Sequence, residues 1–116
     1  MAIKYLSVSP PYRGMNAELR RLEGKLTIDI LWVYILSMLA KRASHAYALR
    51  DAIKKRFSFL PGEVSVYVVL YKLEGRGYVS SRKDRNRKVY SITAKGRTLL
   101  KEAKKSLAKK QKLLFG

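Results

Sequence analysis

Apolar residues in this chain recur with helical spacing over most of its length. Met15, Leu19 and Leu22 fall at i, i+4 and i+7, predicting a short helix over 15–24 that Gly24 ends. Thr27 is placed to cap a second helix, and Ile28 to Ala40 is apolar nearly all round, the pattern of a helix buried on most sides. Ser44 is placed to cap a third, from His45 to Phe57, in which Tyr47, Leu49 and Ile53 are apolar while Arg50, Lys54 and Lys55 are not. Pro61-Gly62 punctuates the chain, and Glu63 then opens a helix running over 62–75. At about 100° per residue, Val66, Val69, Leu70 and Leu73 of that helix gather on one side. Val64, Val68 and Tyr71 project from the other, with Tyr67 on the flank. A plain solvated helix has no use for valines and a tyrosine on its outer side.

Beyond Gly77 the period shortens. Tyr78–Arg82 and Lys88–Thr93 are β-rich and flank the polar segment Lys83-Asp84-Arg85-Asn86-Arg87, predicting a β-hairpin over 78–93 with a five-residue turn. Thr93 then caps a last helix from Ala94 towards Leu114. Its Leu100, Ala103, Leu107 and Leu114 fit a two-residue heptad seam that Lys110 interrupts. So narrow a stripe on so long a helix needs a partner, most simply a second copy of the chain. The expected organisation is an irregular arm at 1–14, a winged helix-turn-helix domain at 15–93 with an extra first helix, and a basic dimerisation helix at 94–116. The fold class is mainly α with a small β-hairpin.

Charge narrows the function. Among 116 residues, 26 are Lys or Arg and 8 are Asp or Glu, a formal balance of +18. Such an excess on a small body implies salt-sensitive attraction to polyanions, nucleic acid first and acidic membrane surfaces second. There is no cysteine, and His45 is the single histidine, so thiolate and His-rich metal sites are not expected. The carboxylates Glu18, Glu23, Asp29, Asp51, Glu63, Glu74, Asp84 and Glu102 are scattered without an acid/base spacing. Gly75-Arg76-Gly77 lacks the further glycine and helix of a phosphate-binding loop. No catalytic residue and no cofactor is expected. The apolar run Ile30–Ala40 is too short to span a bilayer, so no membrane partner and a cytoplasmic, nucleoid-associated location are expected.

Three helices, here 28–40, 45–57 and 62–75, followed by a hairpin are the layout of a winged helix-turn-helix, with the helix over 62–75 sized for the major groove of double-stranded DNA. Ser65, Tyr67, Val68, Tyr71 and Lys72 are the candidate base-facing residues on that helix. Arg82, Lys83, Arg85, Asn86, Arg87 and Lys88 form a wing in which five of seven residues from 82 to 88 are basic, suited to phosphates and the adjacent minor groove. The blander alternatives are tyrosines packed beneath the wing, a solvated cationic turn, a structural His45 and a core Trp32.

The stretch from Ile35 to Gly96 resembles the PadR family of winged-helix transcriptional regulators. Ile35-Leu36-Ser37-Met38-Leu39-Ala40 followed by His45-Ala46-Tyr47-Ala48-Leu49 is similar to the family's apolar helix and His-Gly-Tyr-x-Leu. Tyr67 to Gly77 is similar to its Tyr-x-x-Leu-x-x-Leu-Glu-x-x-Gly recognition helix. Arg87–Thr93 resembles its second wing strand, and Thr93-Ala94-Lys95-Gly96 the Thr-x-x-Gly that opens its dimerisation helix. Ala46 stands for the usual Gly, Val68 for a common Pro, and Glu63 brings a carboxylate near the groove, so base preference does not transfer. The added first helix and the basic last one also resemble small archaeal winged-helix proteins that act partly as chromatin proteins. The resemblance implies a homodimeric, sequence-selective DNA-binding regulator with Leu100, Ala103, Leu107 and Leu114 at the dimer seam. An architectural protein with little sequence preference and a protein-binding adaptor are the rival readings. No residue set points to a small-molecule effector.

Overall fold

The computed structural model describes Gly14 and residues 16–116. The expected arm at 1–14 and the Met15 position therefore lie, apart from Gly14, outside the described residues. Helix α1 (Ala17–Lys25) starts at Asn16, whose side-chain oxygen accepts from the Leu19 N–H at 2.9 Å. Gly24 does not end it: the helix runs one residue further and Gly24 is buried within it. Thr27 does not cap the next helix either. Its hydroxyl donates backwards to the Glu23 carbonyl at 2.8 Å, serving an open C-terminal carbonyl of α1. The chain then makes a single 3-10 turn, Ile28–Ile30, before α2 (Leu31–Leu39).

Helix α3 (Ala46–Phe57) is capped by His45 and not by Ser44, with Nδ1 accepting from the Ala48 N–H at 3.3 Å. Ser44 is occupied elsewhere. Its backbone N–H and C=O both bond Tyr90, adding a one-residue bridge to the hairpin. Ser58 closes α3 in a left-handed conformation (φ 61), its N–H donating to the Lys54 carbonyl. Phe59 and Pro61 are buried in the connection that follows, and Arg50 Nε donates to the Pro61 carbonyl at 2.7 Å. Helix α4 (Glu63–Gly75) then runs into Gly77 at φ 83.

Strands β1 (Val79–Asp84) and β2 (Arg87–Ile92) pair antiparallel from Val79–Ile92 through Asp84–Arg87. The ladder consumes Lys83, Asp84 and Arg87, so only Arg85 and Asn86 turn, in place of the five residues expected. Arg85 takes φ 60 as the first residue of this two-residue connection. Polar wing residues pair as well as apolar ones because the ladder needs only backbone groups. Helix α5 (Ala94–Phe115) is capped by Thr93, whose Oγ1 accepts from the Gly96 N–H at 3.0 Å and donates to the Gly77 carbonyl at 2.6 Å.

The core joins Leu31, Ile35, Leu36 and Leu39 of α2, Leu49 and Ile53 of α3, Val66, Leu70 and Leu73 of α4, and Val79 and Tyr90 of the hairpin, with Phe59 beneath them. Tyr34 stacks edge-on to Phe57 and Phe59 at 4.8 and 4.9 Å. Trp32, Leu99 and Leu100 pack at the margin. From Lys104 onward α5 leaves the core and every residue is exposed. The architecture is a helical domain with a two-stranded antiparallel wing and a long C-terminal helix.

Candidate nucleic-acid interface

Helix α4 is amphipathic in an unusual way. Its core side buries Val66, Leu70 and Leu73. Its outer side exposes Val64 at 75% and Tyr71 at 78%, with Tyr67 and Val68 about half exposed. Ser65 and Lys72 are exposed beside them. All five candidate residues of this helix therefore stand on its free surface, and neither tyrosine is sealed beneath the wing.

The wing is fixed to the end of α4 by Glu74. Its carboxylate accepts from the Ser81 hydroxyl at 2.5 Å and lies 3.8 Å from Lys88 Nζ. One acidic group thus contacts both strands from the end of the helix. Lys88 remains exposed and lies 6.0 Å from the Tyr90 ring. Arg82, Lys83 and Arg85 are exposed and form no ion pair among the described residues. Strand register divides the cations between two faces. Lys83 and Lys88 oppose each other on the face that carries Tyr90, while Arg82 and Arg87 lie on the other.

Between the N-terminus of α3, the flank of α4 and the wing runs a groove lined by His45, Ala46, Tyr47, Tyr67, Asn86, Arg87, Lys88 and Tyr90. A second depression shares His45, Asn86 and Arg87 with it and is lined further by Asp84, Arg85 and Val89. The positive end of the α3 dipole opens into the groove. His45 sits at the junction: besides capping α3, its Nε2 lies 3.0 Å from Arg87 Nη1. Both donors, the Ala48 N–H and the guanidinium, face a ring that in its neutral form has one accepting nitrogen. Burial raises the Tyr90 phenol above its ordinary pKa, and Lys88 nearby works against that rise.

Sequence reasoning missed two groove residues. Tyr47, which the sequence groups with Leu49 and Ile53 as apolar, is 72% exposed. The buried positions are Ala46, Leu49 and Ile53, a clean i, i+3, i+7 set that Tyr47 does not fit, so the spacing held the signal. His45 has the structural role of capping α3. Its contact with Arg87 joins elements far apart in the chain, and no local pattern marks it.

The expected dimer seam divides in two. Leu100 is half-buried against the core and Ala103 is partly covered, whereas Leu107 and Leu114 are 46% and 72% exposed. Among the described residues no group of His, Cys, Asp or Glu could hold a metal ion, and no helix is long and apolar enough to cross a membrane.

Residues 35–102 match the family described as transcriptional regulator PadR-like. No curated protein sequence matches the chain. Among solved structures, a PadR family transcriptional regulator from Eggerthella lenta superposes with a TM-score of 0.72 at 21% identity, covering 88% of this chain and 89% of its own. A transcriptional regulator from Clostridium thermocellum gives 0.67 at 24% identity, covering 71% and 86%. A PadR family transcription regulator from Clostridium difficile gives 0.64 at 24%, covering 71% and 91%. These likenesses establish the winged-helix fold, and with the family match spanning more than half of its length, the chain belongs to the PadR-like family of transcriptional regulators.

Proposed function

We propose that this protein is a homodimeric regulator that binds double-stranded DNA with sequence selectivity, as a binder and not an enzyme. The outer face of α4 enters the major groove, and the wing lies on the backbone and adjacent minor groove. The observation that carries this reading is the exposed, tyrosine-bearing face of α4 beside a wing tip whose Arg82, Lys83 and Arg85 are exposed and form no ion pair among the described residues. Phosphate neutralisation by Arg82, Lys83, Arg85 and Arg87 supplies most of the affinity, and Ser65, Tyr67, Val68, Tyr71 and Lys72 supply the selectivity. A dimer with roughly 6–10 phosphate contacts loses about 10³–10⁵ in affinity between about 50 and 200 mM salt.

The second copy docks on the seam of Leu107 and Leu114, which stand exposed among the described residues. Its action in the cytoplasm at the nucleoid, and its kinship with the small archaeal type, follow from the same basic α5. The architectural reading draws on the charge excess of +18, far above what one recognition face uses. Competition at fixed salt separates the two. A site preferred over random duplex by about 10³ or more fits regulation, and a ratio near one fits architecture. Tyr71→Ala should lower that ratio more than it lowers binding to random duplex; equal losses would remove Tyr71 from base reading.

A further inference from the structure

Resting on the reading above that the protein binds duplex DNA, we propose that the outer ridge of α5 is a second, sequence-independent site for a duplex segment, distinct from the recognition face. Eight of the 22 residues of α5 are Lys or Arg and only Glu102 is acidic. None of these cations forms an ion pair among the described residues. A helix that merely faces water is ordinarily laced with acid–base pairs four residues apart, and like charges at that spacing oppose it. Here Lys101–Lys105 and Lys105–Lys109 are such like pairs. The helix therefore carries repulsion that a polyanion relieves.

The ridge has a defined direction. At about 100° per residue, Lys101, Lys105 and Lys112 fall within about 40° of one another. They lie on the side opposite Ala103, Leu107 and Leu114, and all three are exposed. A partner helix seated on the apolar stripe leaves this row uncovered in both copies. The row extends about 16 Å along the helix, a span that crosses several phosphates of a duplex. Thr98 and Ala108 are its other members, and neither they nor the lysines present a planar group for bidentate base contact. Affinity without sequence preference follows.

The helix also starts at the end of the hairpin away from the wing tip. Helix α5 begins at the base of the hairpin, where Lys95 Nζ reaches the Arg76 carbonyl at 2.7 Å and Gly96 abuts Tyr78 and Ile92. Arg85 stands at the far end of six-residue strands, about 17–20 Å away. The first duplex held at the wing and α4 leaves the α5 ridge for another segment.

The test is capture of a free labelled duplex by protein already bound to an immobilised duplex of unrelated sequence, at about 100 mM salt. The wild-type protein should capture it. The variant Lys101→Glu/Lys105→Glu/Lys112→Glu should lose at least about tenfold in capture while its affinity for the first duplex falls much less. A control with the same charge change at Lys41, Arg42 and Lys54 should retain capture, and far-ultraviolet circular dichroism confirms that α5 stays helical in each. Wild-type binding to the first duplex without capture of a second overturns the inference and leaves the proposed function standing. Equal loss of capture in the control overturns it too, by assigning capture to overall charge. Parallel loss of both affinities in the ridge variant places the ridge on the first duplex and likewise overturns it. Preference for anionic phospholipid vesicles over the second duplex assigns the ridge to a membrane surface instead. No binding to the first duplex would sink both readings together.

Discussion

Gly96→Ala tests how the long helix is seated on the winged domain. A Cβ at this position would stand 2.1 Å from the Tyr78 carbonyl oxygen and 2.8 Å from Ile92 Cγ1. Contacts of this kind stay above 3.0 Å, so the pair must part by about 0.9 Å. Tyr78 cannot yield freely. Its carbonyl accepts from the Thr93 N–H at 3.1 Å, and its own N–H donates to the Leu73 carbonyl at 2.9 Å. Overpacking costs about 1–3 kcal/mol, and loss of the Thr93 bond adds about 1 kcal/mol. Alanine's better helix propensity returns about 1 kcal/mol. The net destabilisation is about 2 kcal/mol, or a fall in Tm of about 10 °C for a domain of this size. Thermal unfolding followed at 222 nm, at one fixed protein concentration, reads it out. The partner experiment is Gly75→Ala near the end of α4, where nothing lies within 4 Å; that variant should be as stable as the parent or gain up to about 1 kcal/mol. A Gly96→Ala protein as stable as the parent would refute the close approach of α5 to Tyr78.

The remaining expectations concern binding, assembly and pH. Arg85→Ala with Arg87→Ala removes four arginines from a dimer, so it should weaken binding to all duplexes alike and reduce the slope of log affinity against log salt by about 4, read by titrations at several salt concentrations. Leu107→Asp should separate the dimer while sparing the winged domain; an unchanged elution volume would show the seam to lie elsewhere. The buried Tyr90 phenol holds its proton above the ordinary phenol range. Its share of stability is therefore fully present below about pH 10, and is lost as pH rises through the raised value. Tyr90→Phe should flatten the alkaline fall in stability relative to the parent; identical alkaline profiles would contradict that assignment.

Helix α4 was legible in the sequence because its two sides differ in a 3.6-residue rhythm that burial at Val66, Leu70 and Leu73 enforces. The wing's existence was legible, but its turn was not. Beyond Arg82 neither wing face is buried, so alternation has nothing to report, and five polar residues look like a loop although three of them pair in the ladder. The caps at Thr27 and Ser44 were misplaced for another reason. Each hydroxyl sits near a helix start, yet where it points depends on the chain path and, for Ser44, on backbone pairing with Tyr90 across the fold. The base-facing candidates on α4 were readable one residue at a time. The groove between α3 and the wing was not, because it exists only once His45 and Arg87 meet.

That meeting has a consequence for how the wing changes hands. A single lone pair cannot serve two suitors, so the imidazole that secures the first turn of α3 leaves the guanidinium of Arg87 weakly held, and the reverse. Arg87 is thus parked and not locked. On the proposed reading, a phosphate oxygen would offer the arginine a charged acceptor, and the ring, relieved of one claim, would be left to the helix alone. Docking would tighten the first turn of α3 in the same stroke as it engages the wing.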